Sequence, residues 1–264
     1  MYAFDYQRPT SRADAVSAAG GDARYLAGGQ SLVQAMKLRL SQSERLVDLG
    51  AVADLKGIKA DANSVTIGAM TTHAAVAASA DVRKLIPALA ELAGGIGDPM
   101  VRNMGTIGGS IANADPAACY PAAVLGLGAM IRTNQRTIQG DAFFTGLFET
   151  ALQPGELITG VTFPVAQKAA YVKYKQPASR FALVGVFVSQ AAGGVRVAVT
   201  GAKGSVFRAK ALEDGLTKSF TPEAAKAVKM PTDGINSDMH GSAAYRAAMI
   251  SVMASRAVAA ALAR

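Results

Sequence analysis

The sequence predicts an α+β protein made of three successive units, and three observations carry that prediction. The first fifty residues alternate strand, helix, strand, helix, strand. A second unit opens near Leu55. The last third pairs two valine-rich runs across Gly193-Gly194 before it turns helical. The implied boundaries are 1–54, 55–168 and 169–264, and 264 residues suffice for a core in each.

In the first unit, Thr10 or Ser11 caps a helix over 11–19 with Asp14 in its first turn. Residues 24–27 form a short strand that runs into Gly28-Gly29. Residues 31–40 are helical, and 45–49 form another strand. In the second unit, 64–69 is a strand and Thr71 or Thr72 caps a helix through Ala80. A helix over 86–94 is ended by Gly94-Gly95. Residues 121–127 are an apolar helix, 129–133 open a hairpin, and 141–144 turn into a short helix. The strand over 157–163 stops at Pro164. Residues 167–176 cross into the third unit. There 183–190 and 195–200 are antiparallel strands, and 209–216, 222–228 and 243–262 are helices.

Composition narrows the chemistry. Half the residues are hydrophobic and 17% are charged, which marks a globular chain. The single cysteine, Cys119, allows neither an internal disulfide framework nor an iron–sulfur cluster held by this chain alone. His73 and His240 are far apart, so no zinc or haem site is indicated. Redox chemistry here calls for an organic cofactor.

No secretory signal is visible. The Ala-rich run 242–262 contains Arg246 and Arg256 and is a poor membrane span, so the expectation is a cytoplasmic protein. The net charge of +8 lies wholly in the last third, where 13 Lys/Arg face 5 Asp/Glu, against 14 and 14 before residue 173. That excess is a solvated face or a docking face for an acidic partner subunit. The cations lack interleaved aromatics and a nucleic-acid motif, so no nucleic-acid partner is expected.

Two glycine-rich segments carry most of the function: Ala27-Gly28-Gly29-Gln30-Ser31 and Thr106-Ile107-Gly108-Gly109-Ser110. Adjacent glycines before a small hydroxyl residue let the backbone approach a bulky anion and offer it N–H groups. Each precedes an apolar, helix-compatible run, and together they suggest a pyrophosphate held from two sides. The Gly-Leu-Gly at 126–128 is not a Rossmann fingerprint, because Ile131 stands where a third glycine is needed. No Walker-type loop is present.

The run from Ser110 through Asn113 to Pro121 is a tight loop of small residues, either at a ligand or as an ordinary capped turn. Cys119 has no histidine or cation near it in sequence, which favours a packing role. His73 reads as a cap-region histidine. Lys175 is either a surface lysine or a cation near a flavin edge.

These segments, with Arg102 to Ser110, Asn113 to Pro121, Pro154-Gly-Glu-Leu-Ile158 and Phe207-Arg208-Ala209, resemble the FAD-binding medium subunit of molybdenum hydroxylases. The likeness extends to the carbon monoxide dehydrogenase and xanthine dehydrogenase relatives and spans essentially the whole chain. It implies a two-subdomain FAD-binding fold of the vanillyl-alcohol oxidase (PCMH) type, followed by a small α+β C-terminal domain. It implies non-covalent FAD, with residues 27–31 and 106–110 at the pyrophosphate and Leu32 as a further cofactor contact. Asn113 would be a further cofactor contact, with Cys119 toward the adenosine side, Leu157 and Ile158 at the isoalloxazine, and Lys175 at its polar edge. The family often carries an acid where Cys119 stands, and often a histidine at Gln30. No residue of this chain is assigned a catalytic acid–base role. A small [2Fe–2S] subunit and a large molybdopterin subunit would complete a dimer of heterotrimers. A stand-alone flavin oxidoreductase and an assembly subunit with a weakened FAD site are the alternatives.

Overall fold

The structure, a computed structural model, describes residues 1–264. The first sheet is parallel and three-stranded. Its unit runs β1 (Asp5–Gln7), α1 (Arg12–Ala18), β2 (Ala23–Leu26), α2 (Leu32–Lys37) and β3 (Arg45–Asp48), with β3 between the other strands. Ser11 caps α1, accepting from the Asp14 N–H at 3.1 Å. A small apolar cluster that includes Ala15, Val47, Leu49 and Leu157 packs this unit.

The second sheet is antiparallel. After β4 (Ile58–Ala60) and β5 (Ser64–Gly68) come α3 (His73–Ala78), α4 (Ala80–Leu85), α5 (Pro87–Gly94), α6 (Pro99–Met104), α7 (Ile107–Asn113) and α8 (Tyr120–Leu127). The hairpin β6 (Met130–Thr133) and β7 (Thr137–Gln139) follows, then the ribbon of β8 (Phe144–Gly146) and β9 (Glu149–Thr150). β10 (Ile158–Pro164) returns between β5 and β6, giving the order β4-β5-β10-β6-β7. Thr72 caps α3, and Ser79 both ends α3 and caps α4. Gly128, at φ +66°, stops α8, so the Gly-Leu-Gly run is a helix C-terminus. One expectation is corrected. Residues Gly140–Ala142 form a single 3-10 turn and no α-helix follows, because Phe143 is buried in the core and Phe144 of β8 pairs with Thr150 of β9.

The third sheet holds β11 (Lys168–Lys175), β12 (Ala182–Ala191), β13 (Gly194–Thr200) and β14 (Phe207–Arg208) in that order. It is backed by α9 (Lys210–Lys218), α10 (Pro222–Ala227) and α11 (Ala243–Leu262). β12 is apolar on both faces, so its sequence shows no alternation. Val184, Val186 and Val188 pack with Ile250, Met253 and Ala257 of α11. Phe187 packs the other way, on α8, where a Cβ on Gly126 would lie 2.5 Å from its ring. Arg246 of α11 is buried and donates to the carbonyls of Leu183 (2.8 Å) and Gly201 (2.9 Å). No helix is long and apolar enough to cross a membrane.

Candidate functional site

β2 delivers the chain into the first glycine segment. Tyr25, on β2, donates its hydroxyl to the Gly155 carbonyl at 2.8 Å, which ties this strand to the Pro154–Ile158 stretch. Gly29 has φ +71°, a conformation glycine adopts without steric cost. A Cβ on Gly28 would overlap the Met104 carbonyl and lie 2.7 Å from the Cα of Gly105. The backbone N–H groups of Gly28, Gly29, Gln30 and Ser31 donate to no acceptor within the chain. Ser31 starts α2 without using its side chain as a cap, and Gln30 Nε2 folds back on the Gly28 carbonyl at 3.2 Å. Leu32 opens α2 half-buried. Consecutive free donors beside a free hydroxyl form a cradle for an anion.

The second segment is built differently. Thr106 caps α7, and its Oγ1 accepts from the Gly109 N–H at 3.1 Å. The Ile107 N–H donates to Thr71 (3.1 Å), Gly108 to Ala69 (2.8 Å) and Ser110 to Thr106 (3.0 Å). Its glycines serve close packing. A Cβ on Gly108 would lie 2.6 Å from the Cβ of Ala69, and one on Gly109 3.3 Å from the Cβ of Ala27. Ala27 against Gly109 and Gly28 against Met104-Gly105 bring the two segments together.

His73 lies under this joint and is only 5% exposed. Its backbone N–H donates to the Gly105 carbonyl at 3.0 Å, and a Cβ on Gly105 would lie 2.6 Å from its Nε2. Burial, helped by the charge of Arg102, pushes the imidazole down to about 4. Nδ1 has no partner, and the ring lies 5.3 Å from that of Tyr120, whose buried hydroxyl is also unpartnered. His73 is therefore a buried neutral support of the second segment, more than a cap-region residue.

A cavity of about 400 Å³ is lined by Gly94, Gly95, Gly97, Arg102, Lys175, Gln176, Pro177 and Arg180. It presents three cations and no carboxylate. Arg102, on α6 just before the second segment, donates to the carbonyls of Ile96 (2.9 Å) and Gly97 (3.3 Å). Lys175 reaches the cavity from the end of β11. Cys119 is buried, and its Sγ lies 3.3 Å from Lys173 Nζ, which also donates to Gly95 at 2.9 Å. Sequence reasoning missed this cation because 54 positions separate the pair. Cys119 reaches Gly95 only through Lys173, whereas Lys175 lines the same cavity as Gly95. Asn113 ends α7, half-buried, before Ala114 turns left-handed at φ +48°. Leu157 and Ile158 are 3% and 4% exposed, belong to separate apolar clusters and do not line the cavity.

A protein-family model described as "FAD binding domain in molybdopterin dehydrogenase" matches residues 2–166. The carbon monoxide dehydrogenase medium chain of Hydrogenophaga pseudoflava is 35% identical over 280 residues, covering 99% of this chain and 98% of that one. The nicotine 6-hydroxylase medium subunit of Paenarthrobacter nicotinovorans is 34% identical, covering 97% of this chain and 96% of that one. A solved structure of the Hydrogenophaga carbon monoxide dehydrogenase, lacking the Mo-pyranopterin moiety of its molybdenum cofactor, superposes with a TM-score of 0.89. It is 36% identical and covers 99% of this chain and 98% of that one.

Proposed function

Because the chain belongs to the family of FAD-binding domains of molybdopterin dehydrogenases, we propose that it is the electron-transfer subunit of a heterotrimeric molybdenum hydroxylase. Electrons released at the molybdopterin of a large subunit cross the [2Fe–2S] clusters of a small one. They then reach the non-covalent FAD of this chain and leave to an external acceptor. The assembly is a cytoplasmic dimer of heterotrimers. Bound FAD supplies two-electron redox chemistry, and the protein's part is to hold, orient and tune it.

The carrying observation is the row of free N–H groups from Gly28 to Ser31, whose first residue is pressed against Met104-Gly105. Ala27, Gly28, Gly29, Gln30, Ser31 and Leu32 hold the pyrophosphate, chiefly through those donors and the Ser31 hydroxyl. Thr106, Ile107, Gly108, Gly109 and Ser110 form the rigid wall against which that segment closes. Asn113 completes the polar rim where α7 ends. Gly94, Gly95 and Gly97, which line the cavity, would hold the isoalloxazine. Lys175, with Arg102 and Arg180, gives its polar edge positive charge. Cys119 packs behind Gly95 through Lys173, and Leu157 and Ile158 stiffen the cores on either side of the joint.

Relatives named for carbon monoxide and for nicotine are similar to this chain over nearly its whole length. That supports assigning substrate choice to the molybdenum subunit and none to this chain. The test is the visible spectrum of the chain purified with its partners, before and after acid precipitation. Flavin released to the supernatant, beside iron–sulfur absorbance, is the expected result. An assembled complex without flavin overturns the proposal, and flavin retained by the precipitate contradicts non-covalent binding.

A further inference from the structure

β11 sends alternate side chains to opposite sides. Val172 and Tyr174 face α11: Val172 packs on the cluster of the third unit, and the Tyr174 ring meets that of Tyr245. Tyr171, Lys173 and Lys175 face the second unit. Tyr171 packs on its core, Lys173 bonds Gly95 and Cys119, and Lys175 lines the cavity.

Like Arg102, Lys173 is a half-buried cation held without a carboxylate. Arg208 and Arg246, by contrast, pair with Glu213 and Asp238. Lys173 is half-buried, yet its partners are a carbonyl and a thiol, and it forms no ion pair. An ammonium has three donors, and those partners take two. A cation withdrawn from water without a counter-charge is costly. No acid of the cavity supplies one, and Arg102, Lys175 and Arg180 add to the same positive potential.

We propose that Lys173 tunes the cofactor. Its ammonium, left without a carboxylate because position 119 is a cysteine, favours the reduced form of a flavin held in the cavity that Gly95 and Lys175 line. This rests on the FAD reading above. Reduction adds negative charge to the ring system, and a fixed cation in a partly dry site stabilises that form more than the oxidised one. A carboxylate at position 119, in contact with Lys173, would cancel the effect while leaving the lysine in place.

The test is a dye-referenced redox titration of the FAD-loaded complex, with flavin content and thermal stability measured alongside. Lys173→Gln and Cys119→Asp should each lower the reduced-to-oxidised ratio at fixed potential about tenfold, or about 30 mV for a two-electron couple. Lys173→Arg and Cys119→Ser should keep the ratio within about twofold. A purely structural lysine would alter flavin content or stability in Lys173→Gln and leave the potential unmoved. Unchanged potentials in the flavin-loaded Lys173→Gln and Cys119→Asp complexes overturn this inference alone. A wild-type complex without flavin overturns the FAD reading and this inference with it.

Discussion

The two glycine segments look alike in sequence, Gly-Gly-Gln-Ser against Gly-Gly-Ser, yet they differ in how they use their backbone. The first leaves the N–H groups of Gly28 to Ser31 without acceptors and carries Gly29 at positive φ. The second commits the N–H groups of Ile107 to Ser110 to Thr71, Ala69 and Thr106, and keeps glycine because Ala69 and Ala27 come too close for a Cβ. One motif is an open donor row and the other a packed joint. The lesson is that a Gly-Gly-Xaa-Ser stretch states only that the backbone is approached closely. Whether the approaching group is a ligand or a neighbouring strand depends on where the N–H groups go.

That contrast breaks first at Gly28. Gly28→Ala places a Cβ on the Met104 carbonyl and must part the two segments. Flavin affinity should fall more than about 100-fold, roughly 3 kcal/mol, read as flavin per protein after gel filtration. An alanine variant that retains full flavin would undo the clamp between the segments. Gly108→Ala attacks the joint instead. It should cost about 1–3 kcal/mol of stability in chemical denaturation, with weaker flavin binding only as a consequence.

The joint should also be the acid-sensitive half. His73 is pushed from 6.5 to about 4 in the fold, so the unfolded chain binds the proton more readily. Its contribution is complete above pH 6.5 and declines as the pH falls through that value toward 4. The loss should reach about 2 kcal/mol at pH 5. His73→Gln should flatten the stability profile between pH 7 and 5, and an unaltered slope would remove His73 from this role. The smallest effects separate the two hydroxyls that flank the glycines. Ser31→Ala should weaken FAD roughly 3–10-fold with stability unchanged, since Ser31 caps nothing. Thr106→Ala should cost about 1 kcal/mol of stability, since Thr106 caps α7. Equal losses of affinity in both variants would erase the distinction.

Much of this was readable from the residues. Ser11 and Thr72 announced their helices through capping chemistry, and Gly94-Gly95 announced a helix end. The pairing of β12 with β13 followed from two apolar runs around Gly193-Gly194. The short helices α4 and α6 were missed, although Ser79 caps the first and Asp98 with Pro99 opens the second. The strand at Phe144 was hidden because its partner, Thr150, lies across an unremarkable turn. Both glycine segments were found, but their different hydrogen bonding was not, since the acceptors Ala69 and Thr71 belong to a distant stretch of chain. Lys173 went unnoticed beside Lys175 for the same reason. What makes it unusual is its contact with Cys119 and Gly95, and neither lies near it in sequence.

In the proposed function the first segment receives the cofactor's pyrophosphate while the second holds the wall. Peptide-resolved hydrogen–deuterium exchange on the assembled complex, with FAD and after its removal, tests it most directly. Residues 106–110 should exchange slowly in both states, and residues 27–32 should slow at least about tenfold when FAD is restored. Protection gained at 106–110 with none at 27–32 would contradict the account.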